Sequence, residues 1–237
     1  MQLIKKLKKR PFCSAVVAAA GSSTRAGRDK LFSLLGGESV LARTLRVLDD
    51  SEWIDEIIVV TRPEKIPEAA ELCRACGIVK VTKILCGGET RTQSVLCGVS
   101  ETDRRAELIA VHDGARPLVT EKIIEDAVHA AVLYQAAAPA VPVKDTVKRA
   151  DKGVVSETLP RDEIFAVQTP QIFCADLIKA ALTKAVQDGA APTDDCMAVE
   201  ALGVPVHLTQ GSEENIKITT PPDFRLAELI LESRQET

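Results

Sequence analysis

Residues 14–30 read SAVVAAAGSSTRAGRDK. A short apolar run stops at a glycine, and a loop of small residues then carries an arginine and a lysine. The run from Ser14 to Ala20 has the length and bounded character of a buried strand, and it is not alone. Ile54 to Thr61, Val79 to Leu85, Leu108 to His112 and Ala136 to Val143 are built the same way, short and often β-branched. Between them, Val40, Leu41, Thr44, Leu45 and Leu48 recur at helical spacing, as do Ile123, Ile124, Ala127, Val128 and Ala131. Strand followed by helix, repeated, predicts an α/β fold: a Rossmann-like, mostly parallel sheet with helices on both faces.

One segment breaks the rhythm. Residues 144–163, KDTVKRADKGVVSETLPRDE, are rich in charge, with Asp151-Lys152-Gly153 set between two β-branched pieces. They predict a hairpin arm over about 144–164 projecting from the sheet, with a mobile surface loop as the alternative. An isolated two-stranded arm is marginal in water, so the arm implies a partner subunit and a homodimer.

The chain of 237 residues is 46% hydrophobic, enough for one sizeable core. Residues 1–12 are expected to form a basic tail ahead of a single domain over 13–237. Five cations lie within the first ten residues, and removing them from the net charge of −4 leaves −9 for the rest. So acidic a body argues against nucleic acid as a partner. No apolar run reaches the ~20 residues of a membrane helix, so no membrane is expected. Seven scattered cysteines predict no disulfide framework and fit a cytoplasmic location. Cys73 and Cys76 form a CxxC, but nothing nearby completes a zinc site, and Gly77 after them suggests a helix end.

In open parallel sheets ligands gather beyond the carboxyl ends of the strands, which directs attention to the loop after the first one. Five residues separate Gly21 from Gly27, and Arg28-Asp29 follow, so the loop does not match GxxxxGK[ST] or GxGxxG. Walker-type ATP hydrolysis and nicotinamide binding are both disfavoured. Small residues at Ala18, Ala19, Ala20, Gly21, Ser22 and Ser23 would still let backbone N–H groups approach phosphate oxygens. Arg25 and Lys30 are placed to neutralise the charge that remains. Such a turn with two cations also occurs on ordinary surfaces.

Further clusters lie downstream. VHDGARP, residues 111–117, ends a strand with Asp113, followed by Arg116. An aspartate there could hold magnesium or a ribose hydroxyl, or simply cap a turn. CGGETRTQSV, residues 86–95, adds a second glycine turn leading into a helix, with Ser94 one turn inside. QTPQIF, PTDD and ENIKIT supply Thr169, Thr193, Asp194 and Lys217.

AAAGSSTRAGRDKL, GGETRTQSV, VHDGARP, VPVKDTVKR, QTPQIF, PTDD and ENIKITTPPD occur in this order. Together they resemble the 2-C-methyl-D-erythritol 4-phosphate cytidylyltransferases, from about Cys13 to the final helix. The resemblance implies transfer of CMP from CTP to a sugar-alcohol phosphate with loss of pyrophosphate, assisted by Mg²⁺, in non-mevalonate isoprenoid synthesis. It implies that Ala19, Ala20 and Gly21 wrap the triphosphate and that Arg25 and Lys30 stabilise the transition state. Gly87, Gly88 and Ser94 would read the cytosine, and Asp113 would sit by the metal and both substrates. It further implies that the arm is exchanged across a homodimer, bringing Arg161 into the neighbouring site. Arg161 and Lys217 would position methylerythritol phosphate, with Arg116, Thr146, Thr169 and Thr193 as neighbours. The chain departs from the family pattern at Ala18, where PAAG is frequent, and at Glu214, where an aspartate is common.

The chemistry needs no covalent intermediate, since the acceptor phosphate is already a nucleophile. Its difficulty is the approach of two polyanions. His112, His129 and His207 lie in strand or helix patterns without the acid and nucleophile of a triad. Two rival readings differ in kind: a ribitol 5-phosphate cytidylyltransferase, and a nucleotide-binding protein without turnover.

Overall fold

The computed structural model describes residues 10–21 and 29–235. The strands are β1 (Cys13–Ala19), β2 (Leu34–Leu35), β3 (Glu38–Ser39), β4 (Glu56–Thr61), β5 (Val81–Cys86), β6 (Leu108–Asp113), β7 (Ala136–Pro142), β8 (Lys148–Asp151), β9 (Val154–Thr158), β10 (Phe165–Val167), β11 (Gln171–Cys174) and β12 (His207–Gln210). The helices are α1 (Val40–Asp50), α2 (Ile66–Ala75), α3 (Arg91–Ser100), α4 (Glu121–Tyr134), α5 (Ala175–Gln187), α6 (Asp195–Glu200) and α7 (Pro221–Gln235).

The main sheet runs β10-β7-β11-β6-β1-β4-β5, with β12 added to β7. β1 lies parallel to both β4 and β6, and β5 is parallel to β4. Beyond β6 the sheet mixes, because β11 is antiparallel to β6 and β7, and β10 is antiparallel to β7. Of this half sequence periodicity revealed β7 but not β10 and β11, which are only three and four residues long.

Alternate residues of β1 feed opposite cores, which explains why the strand is apolar throughout. Ala15, Val17 and Ala19 join Leu41, Leu45, Ile124, Ala127 and Phe224 on one face. Val16 joins Val95, Val99, Ile178 and Leu182 on the other. Helix α3 lies so close that a Cβ at Gly98 would sit 2.5 Å from Val16 Cγ1. Buried layers therefore cover both faces, as expected.

The arm is a hairpin rather than an irregular loop. β8 pairs antiparallel with β9, and Lys152 and Gly153 both take the positive φ (47° and 82°) that a tight hairpin turn uses. Among the described residues it pairs with no other strand, and every residue from Lys148 to Thr158 is exposed, Val154 by 73%. The expected basic tail lies outside the described residues up to position 9. Arg10, the tenth residue, already reaches the body through a 3.0 Å bond to Asp55. Cys73 is buried in α2 and Cys76 caps its end. No described helix is long and apolar enough to cross a membrane.

Candidate functional site

The chain leaves β1 through α1 toward β4 and β5 on one side, then returns through α3 to β6 on the other. The strand order therefore reverses between β1 and β6, the crevice where open α/β sheets hold ligands. Ala18 of β1 is in register with Asp113 of β6, so their carboxyl ends flank it.

A cavity of about 470 Å³ opens there. Ala20, Gly21, Lys30, Gly88, Ser94, Asp113 and Lys217 all line it. With Ala18, eight of the residues singled out in the sequence thus share one cavity, drawn from four distant stretches of chain. Arg25 lies outside the described residues. Gly87 does not line the cavity itself; a Cβ on it would stand 2.7 Å from Ser94 Oγ and 3.0 Å from Ala20 Cβ. Only glycine lets the backbone pass so close to α3. Thr90 caps that helix, accepting from Gln93 N–H at 3.1 Å, while the Gln93 side chain accepts from Thr90 N–H.

Asp113 is the electrostatic centre. Its Oδ2 lies 2.9 Å from Lys217 Nζ and 3.5 Å from Arg116 Nε. Burial alone would raise the carboxyl pKa, but Lys217 and Arg116 outweigh it and hold the group below the usual carboxylate range. A relay of bonds fixes the strand end. Asp113 N–H donates to Thr169 Oγ1 (3.1 Å), which lies 3.0 Å from His112 Nδ1, and His112 Nε2 lies 3.3 Å from the Arg116 carbonyl. Since the carbonyl can only accept, Nε2 carries the proton and Nδ1 accepts from the Thr169 hydroxyl. Burial pushes His112 down to about 4, so it stays neutral.

The other expected residues lie elsewhere. Ala19 faces the core, and Arg116 lies behind Asp113, donating to the Asn215 carbonyl at 2.6 Å. Thr169 spends its hydroxyl in the relay. Thr193, just before α6, stands 3.7 Å from Met197 Sδ through its hydroxyl. Thr146 and Arg161 are exposed at the base of the arm, and Arg161 donates to the Lys144 carbonyl at 3.2 Å. Glu214 is bound by Arg234, with contacts of 3.0 and 2.8 Å.

Sequence reasoning missed Arg91. It lines the cavity from the first position of α3 and grips buried Asp195 with two bonds, 3.0 and 2.6 Å. The signal was an arginine directly after the capping threonine, inside a motif that drew attention for its glycines.

The family model for 2-C-methyl-D-erythritol 4-phosphate cytidylyltransferase matches residues 13–233. A protein of that name from Caldanaerobacter subterraneus subsp. tengcongensis is 46% identical over 226 residues, covering 92% of this chain and 98% of the relative. One from Halalkalibacterium halodurans is 44% identical, with 94% and 98% covered. Among solved structures, the 4-diphosphocytidyl-2C-methyl-D-erythritol synthase of Anaerococcus prevotii superposes with a TM-score of 0.84 at 31% identity, covering 94% of this chain and 96% of its own. The 2-C-methyl-D-erythritol 4-phosphate cytidylyltransferase of Thermus thermophilus gives 0.76 at 32% identity, with 92% and 98% covered.

Proposed function

The chain belongs to the 2-C-methyl-D-erythritol 4-phosphate cytidylyltransferase family, and from that membership we propose that it transfers CMP from CTP to 2-C-methyl-D-erythritol 4-phosphate, releasing pyrophosphate. One observation carries the reading. Lys30, Asp113 and Lys217 share a cavity with the glycine turn at the reversal of strand order, so fixed cations flank the space where two phosphates would meet.

The acceptor phosphate attacks the α-phosphorus in line, and negative charge grows on the equatorial and bridging oxygens. Backbone N–H groups around Ala20 and Gly21 and the Lys30 ammonium would meet that charge where it develops, and Arg25, outside the described residues, is the second cation this reading assigns to it. Lys217 fixes the incoming phosphate and keeps Asp113 ionised. Mg²⁺ is commonly held by one or two carboxylates plus substrate phosphates, and Asp113, at the end of β6 and lining the cavity, fits that donor set. Held there, the ion would neutralise phosphate charge.

Arg161 lies on the arm, whose exposed valines invite a second subunit. In a homodimer joined through the arms it would reach the neighbour's acceptor phosphate, with Thr146 beside it. Thr193 would border the same substrate.

Purified protein incubated with Mg²⁺, CTP and either methylerythritol phosphate or ribitol 5-phosphate should release pyrophosphate with the first only. Release with ribitol phosphate alone would replace the acceptor. Silence with both would leave a nucleotide-binding protein.

A further inference from the structure

A cation at the first position of a helix opposes the helix macrodipole, so Arg91 stands where charge alone would not put it. Asp195 offsets that penalty. Its side chain is 1% exposed, whereas that of Arg91 is 33% exposed, so the pair is buried at one end and open to the cavity at the other. A fork contact of this kind fixes the plane of the guanidinium as well as its place.

Asp195 is itself rigidly held. The backbone N–H groups of Asp195 and Cys196 both donate to Gln171 Oε1 at 3.1 Å. Gln171 Nε2 in turn donates to Asp194 Oδ2 at 2.8 Å, and Asp194 Oδ1 caps Met197 N–H at 2.9 Å. Gln171 belongs to β11, in register with Val111 of β6. Arg91 is thus tied to the strand that carries Asp113, across a sequence gap of 104 residues. Buried ion pairs contribute little net stability over apolar replacements, and this much scaffolding around one guanidinium therefore argues for orientation.

We propose that Asp195 is a positioning residue of the nucleotide site. Acting through Arg91, it aims the remaining guanidinium N–H donors at O2 and N3 of the cytosine ring and thereby sets the preference for CTP over UTP. This rests on the reading that the cavity holds CTP, with the triphosphate beside Gly21 and Lys30 and the base beside Gly88 and Ser94. Cytosine presents two acceptors on that edge, whereas uracil presents an N3–H that would oppose a donor. The guanidinium has donors only.

The test is kinetics and calorimetric nucleotide binding on wild type and Asp195→Asn. A lost hydrogen bond to a charged group predicts that the variant's CTP-over-UTP preference falls at least about tenfold. The CTP KM should rise while the acceptor KM stays within about twofold, since this is a uniform-binding change confined to one substrate. An unchanged preference, or equal rises in both KM values, overturns the proposal. Should Asp195→Asn fail to fold by circular dichroism, Arg91→Met/Asp195→Leu removes both charges together and reads the same preference: a fall supports the proposal and an unchanged ratio overturns it. Failure of wild type to bind CTP would instead strike the functional reading itself.

Discussion

Lys30 and Lys217 enter the cavity from different stretches of chain, and the proposed mechanism gives them different roles. Lys217 is already committed to Asp113 at 2.9 Å, so its first effect is on ground-state geometry. Lys30, beside Gly21 in the cavity lining, would under the proposed mechanism meet charge that appears only as the α-phosphorus is attacked. Losing one such transition-state donor costs about 10²–10³ in rate. Lys30→Ala should therefore lower kcat by at least about a hundredfold at saturating substrates, and near wild-type turnover in a steady-state assay would remove Lys30 from that role. His112 makes a prediction about stability. Its folded pKa of about 4 lies below the ordinary 6.5, so between those values the unfolded chain binds the extra proton. Stability should hold above about pH 6.5 and fall as pH drops toward 4, by up to about 3 kcal/mol from this residue. Denaturant melts of the metal-free protein should follow that slope, and His112→Asn should flatten it.

Among the secondary elements, the arm is the piece that cannot be explained by the fold around it. Its nine strand residues are all exposed, with Val154 and Val155 at 73% and 56%, and two strands alone are marginal in water. A second copy would bury those valines and complete the site with Arg161. Sedimentation velocity should find the wild type dimeric and Val154→Asp/Val155→Asp monomeric, with turnover lost alongside. A monomeric wild type with full activity would sink the exchange. The arm was legible because Asp-Lys-Gly between β-branched residues is a strong local signal. β10 and β11 were not, because strands of three and four residues carry too few positions to show a period, and only pairing with β7 and β6 defines them.

Across the fold as a unit, the two apolar layers place the cavity at the seam between the all-parallel half and the mixed half of the sheet. A ligand bound there lowers the free energy of the folded state alone. CTP at a hundred times its Kd should stabilise the protein by about 2.7 kcal/mol, seen as a rise of several degrees in Tm. UTP at the same concentration should do less, and no shift with CTP would place the nucleotide elsewhere. Reading the residues in order was enough for the strand-and-helix alternation, the glycine turns and the hairpin, because local period, turn chemistry and charge are written residue by residue; that Lys30, Asp113 and Lys217 share a site was implied only by the family resemblance. Packing in three dimensions was needed to see that Thr169 serves the His112 relay, that Arg116 lies behind Asp113, and that Arg91 finds Asp195. Each of those contacts depends on burial and on which strands become neighbours, and neither is a property of any short stretch of chain.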